Sequence, residues 1–378
     1  MIEKFRRKLN LKLGEHVYLS ALRDVALGVP ATTKPDVRLF VLSLLVLSTP
    51  FVCLGVGLAL IAFDFPNVIT GVLGGTFCAM AWVLRPREAQ LPTKCLDRSD
   101  LPILVELLDQ ISDHMGAPKV DKISLTAEFN AFAGIAQGQH ILGLGSFLWL
   151  ASNDTQKIAL LAHEVAHLAN KDVQKNQSGY KALAVLEGLL DLAEPPVVYY
   201  VDLGVSARES QGVIADGINA TFRLVIEVMM LALLKLMYVN SQKAEYRADA
   251  NSAAVAGREA VLQLLDLTVF VEPTERRRVA LWPHKDEAGL ALSQRFADTV
   301  FELSADERRK VLSNHEEEVL SVDATHPPTR YRKAFVMGLP DSLAGTGLSF
   351  GKWAALEAEL APHFERLGDD MREYIRER

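Results

Sequence analysis

Two uncharged apolar runs stand apart from the rest of the chain. Leu39–Phe63 extends for 25 residues without a charge and Val68–Leu84 for another 17, with Asp64–Asn67 between them. At about 1.5 Å per residue the first run exceeds the roughly 30 Å hydrocarbon core of a bilayer, and the second sits near the lower limit for a span. The pattern predicts a transmembrane helical hairpin over 39–84. Two buried core helices are the bland alternative, disfavoured because uncharged runs of this length are rare in soluble domains. Gly71 and Gly75, four apart, either let the two helices pack closely or only reflect how common glycine is in membrane helices.

Beyond the hairpin the periodicity is mostly helical. Residues 100–116 begin with Asp100 as a cap and Pro102 in the first turn, and stop at Gly116. Lys122–Ala127 and His140–Gly145 are short strand-like runs that predict a small sheet. Ser152, Asn153 and Asp154 are placed to cap a helix running through Asn170. Lys181–Ala193 is again helical and is stopped by Pro195–Pro196. Phe222–Val239 is strongly apolar but carries Arg223, Glu227 and Lys235 on one stripe. It is either a core helix with a wet edge or a third membrane helix; protein burial is favoured, because charge deep in lipid is costly. Residues 304–320 and 353–378 read as charged amphipathic helices, and His315–Glu318 as a solvated face. The fold class is therefore mostly α with a small β-sheet, an α+β domain preceded by an N-terminal transmembrane helical hairpin. The expected organisation is a polar segment over 1–38, the hairpin over 39–84, one large domain over 85–345 and a charged C-terminal helix over 346–378.

Charge and composition narrow the partners. The net charge is −7 and no Lys/Arg cluster interleaves with aromatics, so no nucleic acid is expected as a partner. Cys53, Cys78 and Cys95 form neither an even set nor a CxxC, which argues against a disulfide framework and against sulfur-ligated zinc. The 38 mostly polar residues ahead of the first run argue against a cleavable signal peptide. Eight Lys/Arg precede that run, and Arg85, Arg87, Lys94 and Arg98 follow the second, whereas the connector has none. This bias puts both ends of the hairpin in the cytoplasm, with the following chain facing the cytoplasm.

The chemistry begins at "LLAHEVAHLANKD", Leu160–Asp172. His163 and His167 are four apart, so one helical face can offer two imidazoles to one metal ion. Glu164 is rotated by one residue and can reach a metal-bound water without being a ligand, the arrangement that peptide hydrolysis requires. A catalytic zinc site needs a third protein ligand, and no histidine follows His167 before His284. In "AEYRADA", Glu245 could supply that ligand and Asp249, one turn on, could hold a ligand histidine; taken alone, the segment reads as a solvated face. In "DATHPPTRYRKAF", two prolines stiffen the backbone around His326. That histidine and an arginine six residues on, Arg332, could hydrogen-bond a developing oxyanion, with Arg330 competing for the role.

Together these segments resemble the membrane metallopeptidase family that contains HtpX and the CAAX prenyl proteases, a gluzincin pattern of HExxH followed by ExxxD. The resemblance rests on "HEVAH" with Asn170 and Asp172 after it, "EYRAD", "HPPTRYR" and "NAFA" at Asn130–Ala133, and covers about residues 100–340. It implies a zincin-like metallopeptidase domain with one Zn2+ per chain bound by His163, His167 and Glu245. Glu164 would be the general base, Asp249 a support for a ligand histidine, and His326 and Arg332 transition-state stabilisers. It also implies protein or peptide substrates, membrane proteins among them, that add as an extended strand to a sheet edge, for which "HILGLG" is the expected provider. Two departures are visible: Lys171 stands where the family often has glycine, and Lys181–Val201 is a poor match to the family's second membrane pair. A different class of reading is a non-catalytic membrane scaffold of the same fold that binds partner proteins through its charged C-terminal helices. An intramembrane protease is disfavoured, since the stretch around "HEVAH" is too short and polar to span lipid.

Overall fold

The computed structural model describes residues 2–26, 36–63, 65–88, 90–92, 94–193, 197–200, 205–208, 212–271, 273–274, 287–320, 326–341 and 347–376. Asp64, Lys34, the proline pair 195–196, Val201, His284 and residues 323–325 lie outside the described residues. The chain divides into two compact units: Met1–Thr33, Ala89–Val173 and Val239–Arg378 form one, and Lys34–Glu88 with Gln174–Tyr238 the other.

Among the described residues the second unit is helical apart from two short strands, Val197–Tyr200 and Val205–Arg208, paired antiparallel. Val37–Phe63 is long and apolar enough to cross a membrane, with a mean hydropathy of 2.4, and Val68–Val83 is a shorter apolar helix. Phe40, Leu44, Leu45, Phe51 and Val52 on the first, and Ile69 and Val72 on the second, point outward. A run of exposed apolar side chains on this scale marks a surface made for something other than water. The two helices pack through Gly57 and Gly74: a Cβ on either would lie 2.6–2.7 Å from the other's carbonyl oxygen. The expected pair, Gly71 and Gly75, meets nothing within 4 Å and does not make the contact. Phe222–Val239 falls within one helix, Val213–Ala256, which also carries "AEYRADA". Ile226, Leu233 and Met237 pack with Leu39, Val46, Ala182, Val185 and Leu186, while Phe222, Val225 and Val228 face outward. The segment 181–193 is thus a packing partner of 222–239 despite its charges.

In the first unit, helix α1, Ile2–Ala26, precedes a mixed sheet of β1 (Cys95–Asp97), β2 (Lys122–Thr126), β3 (Ala131–Ala136) and β4 (Gln139–Gly145). The order is β1-β2-β4-β3, with β2 and β4 parallel and the outer pairs antiparallel. β3 and β4 are joined by Gln137–Gly138, both with positive φ (51° and 77°), the two-residue turn that suits the twist of a hairpin. The "HILGLG" strand is almost wholly buried and pairs on both sides, so it has no free edge; β3 occupies that edge instead. The expectation that β4 offers a free edge is therefore corrected: on that side of the sheet the edge strand is β3.

Helix α2 of this unit, Pro102–Met115, ends at Gly116 as expected, in the left-handed region (φ 63°). Asp100 does not cap it: its carboxylate accepts from the Asp97 N–H instead. The amides of Ile103 and Leu104 donate to Glu359, 256 and 255 residues away, at 2.8 and 2.9 Å. Glu359 sits on the C-terminal helix Trp353–Arg376, whose Leu356, Leu360 and Phe364 are buried in the core. The apolar face of this C-terminal helix is covered by the protein itself.

The helix α3, Asp154–Ala169, carries the HExxH residues and starts with the capping box Asn153/Gln156. Its apolar side, including Leu161, Val165 and Leu168, is fully buried against α2, β3 and β4. After Asn170 the chain turns at Lys171, whose φ is 56°. The left-handed conformation strains any residue with a Cβ, which gives a conformational meaning to the family's glycine at this place. Lys171→Gly is expected to raise stability by about 0.5–1 kcal/mol, read as a higher thermal midpoint; an unchanged or lower midpoint would contradict the strain.

Candidate metal centre

Three stretches of chain meet at the HExxH face of α3. Helix α4, Val213–Ala256, brings Glu245 and Asp249 one turn apart, and Ser252, a further turn on, donates to the Ala159 carbonyl at 2.7 Å. His326 lies beside Pro327 and Pro328, and Pro328 caps helix α5, Thr329–Met337, which places Arg332 in its first turn. Phe335 and Val336 are buried, and Lys333 pairs with Asp266 at 2.5 Å; these contacts fix that helix in the core.

His163, His167 and Glu245 form a cluster whose ligand atoms all lie within 4.8 Å of one another. His163 Nε2 is 3.5 Å from Glu245 Oε2, and His167 Nε2 is 3.6 Å from Oε1. Tetrahedral zinc with bonds of about 2.0–2.2 Å separates its ligands by roughly 3.4 Å, so this spacing fits the ion. The outer ring nitrogens are both engaged: His163 Nδ1 lies 3.2 Å from Asp249 and His167 Nδ1 3.4 Å from Asp172. Carboxylates at Nδ1 set the tautomer that turns each Nε2 inward. Glu245 Oε2 is buried and accepts no hydrogen bond with normal geometry, although Arg332 Nη1 is 3.2 Å away in ion-pair contact. A buried carboxylate whose two oxygens each face an imidazole nitrogen is a donor set suited to a cation.

The electrostatics are dense. Glu245 is 4% and Asp249 1% exposed. Burial pushes both carboxyls up, but the Arg332 charge and hydrogen bonds from His163, with His326 also acting on Glu245, hold both below the usual carboxylate range. Burial pushes the His163 imidazole down, yet hydrogen bonds to Asp249 and Glu245 raise it to about 10. A cation bound at Nε2 would take the place of that proton. Arg332 makes a two-point contact with Asp249, Nε at 2.8 Å and Nη2 at 2.7 Å, and its Nη1 faces Glu245. His326 Nδ1 lies 3.0 Å from Glu245 Oε1, and its side chain is 66% exposed. Arg330 instead stacks on Tyr331 and bonds the Glu316 carbonyl, away from this cluster.

The site opens into a cavity of about 580 Å³. Glu164 lines it beside His163, His326 and Arg332, and Asn130 and Ala131 bring the start of β3 to its wall. Phe129, Leu148, Leu160, Val261, Leu264 and Leu265 give it an apolar side. All six singled-out site residues and Asp249 thus come together. Asp172 was visible only as a family position, without a role; the structure adds its contact to His167 and a 3.3 Å ion pair to Arg247.

The helical fold, the histidine–carboxylate cluster and the cleft beside an edge strand fit the metallopeptidase class. The model of peptidase family M48 matches residues 103–338, and the chain belongs to that family, whose members are zinc-dependent. It is similar to Protease HtpX of Shewanella pealeana, 29% identical over 175 residues, which are 43% of this chain and 57% of that protein. It is also similar to Protease HtpX of Glaesserella parasuis, 26% identical over 52% of this chain and 68% of that one. A third relative, Protease HtpX of Hydrogenovibrio crunogenus, is 28% identical over 56% and 71% respectively. The match to the first of these spans little more than half of the relative's length. No solved structure matches the chain significantly.

Asp172→Asn is expected to weaken zinc binding about 10–100-fold, because it loosens the carboxylate at a ligand histidine. Competition against a metallochromic chelator measures this, and unchanged affinity would remove Asp172 from the supporting set.

Proposed function

We propose that the protein is a membrane-anchored zinc endopeptidase whose catalytic unit faces the cytoplasm. The observation that carries this reading is the convergence of His163, His167 and Glu245 at zinc-like spacing beside Glu164 in an open cleft. Membership of a peptidase family supports protein substrates. The membrane-length helix Val37–Phe63, the outward apolar side chains that follow it and the flanking basic residues support the anchor and its orientation.

Zinc at this site would polarise a coordinated water and lower its pKa toward about 7. Glu164, not needed as a ligand, takes the proton as the water attacks the peptide carbonyl and returns it to the leaving amine. His326, which lines the cleft and pairs with Glu245, would turn toward the carbonyl oxygen and donate a hydrogen bond as negative charge develops there. Arg332 has Nε and Nη2 committed to Asp249, so its first task is to clamp Asp249 and Glu245; only Nη1 remains for the oxyanion. An extended peptide adds to the free edge of β3, which fixes the scissile bond in the cleft through main-chain hydrogen bonds. One side chain next to that bond enters the apolar side of the cavity, which accommodates a leucine or phenylalanine.

Glu164→Gln is expected to lower kcat by about 10²–10⁴-fold with zinc retained, measured by metal analysis and hydrolysis of an unfolded protein. Zinc retained with undiminished cleavage would sink the assignment of the base. Cleavage sites mapped by mass spectrometry in reduced, carboxymethylated α-lactalbumin should be enriched in large apolar residues on one side of the cut bond. Cuts without such enrichment would remove the apolar wall from substrate selection.

A further inference from the structure

Helix α1, Ile2–Ala26, lies outside the family-matched residues 103–338, yet it packs onto the segments that carry the site. Val17 and Ala21 are buried in the same core as Tyr246 and Phe335, with Tyr18 packed against that core. The Tyr18 ring is 5.7 Å from that of Tyr246 and meets the Tyr331 ring edge-on at 5.5 Å. These are the chain neighbours of two site side chains: Tyr246 follows Glu245, and Tyr331 precedes Arg332. Tyr246 is fully buried and is held on its other flank by Phe335, with ring centroids 5.1 Å apart. Its hydroxyl has no hydrogen-bond partner, so ring packing rather than a polar tie seats it. Two turns along α1, the charge of Asp24 acts on the Arg247 guanidinium, which in turn pairs with Asp172. Positions 17, 18, 21 and 24 share one face of a helix, so a single face of α1 reaches Tyr246 and Arg247, the two residues that follow Glu245.

Successive residues on a helix differ by about 100° in direction, so the seat of Tyr246 fixes the angle at which Glu245 leaves α4. We propose that Tyr18 is a positioning residue for the metal site. The N-terminal helix braces Tyr246 and Tyr331, and through them holds the Glu245 carboxylate and the Arg332 guanidinium in register with the two histidines. Metal sites lose affinity and rate when the groups behind the ligands loosen, even though the ligands remain. The proposal rests on Glu245 being a zinc ligand.

The test uses the full chain in detergent, as wild type, Tyr18→Ala and Tyr18→Phe. Zinc retention against a competing chelator and hydrolysis of reduced, carboxymethylated α-lactalbumin are measured for each. Tyr18→Ala should bind zinc at least tenfold more weakly and lose at least tenfold in kcat, with KM within about twofold of wild type. Tyr18→Phe, which keeps the ring, should stay within about threefold of wild type in zinc retention and kcat. Wild-type zinc retention and kcat in Tyr18→Ala would overturn the brace, and so would Tyr18→Phe failing as badly as Tyr18→Ala. Should Tyr18→Ala not accumulate as folded protein, Tyr18→Leu, which keeps buried volume but not the flat ring, carries the same expectation. A wild-type protein that neither binds zinc nor cleaves would instead overturn the peptidase reading beneath the proposal.

Discussion

Taking two carboxylates out of water next to one another costs several kcal/mol per ion unless opposite charge meets them. Glu245 and Asp249 are almost completely buried one turn apart, and the architecture around them is organised by that demand. Arg332 answers both at once with its planar fork, His163 bridges them through its two ring nitrogens, and His326 closes on Glu245 from a separate loop. The remaining need is on the Glu245 carboxylate, where His163 Nε2 faces Oε2 and His167 Nε2 faces Oε1. A divalent cation there would satisfy the carboxylate and the histidines together.

This demand explains why distant parts of the chain converge. α3 must present a histidine face inward while its apolar side is sealed by α2 and the sheet. α4 must approach it along the line that the Ser252 contact to Ala159 marks. The short helix after Pro328 must hold its arginine rigidly, which the burial of Phe335 and Val336 provides. Even the C-terminal helix contributes, since Glu359 supplies the amide caps that Asp100 does not. The sheet brings the start of its edge strand β3 to the wall of the cleft.

The histidine pair was legible from spacing, while the roles of Glu245, Asp249, His326 and Arg332 came from the family resemblance. Four-residue intervals report one helical face, so His163/His167 and Glu245/Asp249 announced their geometry, and a stiff "HPP" marked the loop carrying His326. The identity of the edge strand was not legible, because "AFAGIA" has small residues in place of an alternating pattern and its pairing depends on a turn at Gln137–Gly138. The role of Asp172 depends on the sharp turn at Lys171, which brings it back to His167. The glycine contact in the hairpin was left open for a related reason: spacing identifies a face, but only the partner helix decides which face is used. Helix α1 is polar along its length with only a short apolar stripe, and its tyrosine contacts are separated by hundreds of residues in the chain.

The central claim is that Glu245 completes a two-histidine zinc site. X-ray absorption at the zinc edge of the purified protein tests this most directly. The account predicts one zinc per chain with two imidazole nitrogens near 2.0–2.1 Å and two oxygens, one from a carboxylate and one from water, near 2.0–2.2 Å. In Glu245→Ala the carboxylate oxygen should vanish from the shell or the metal should be lost. An unaltered shell with full zinc in that variant would contradict the account.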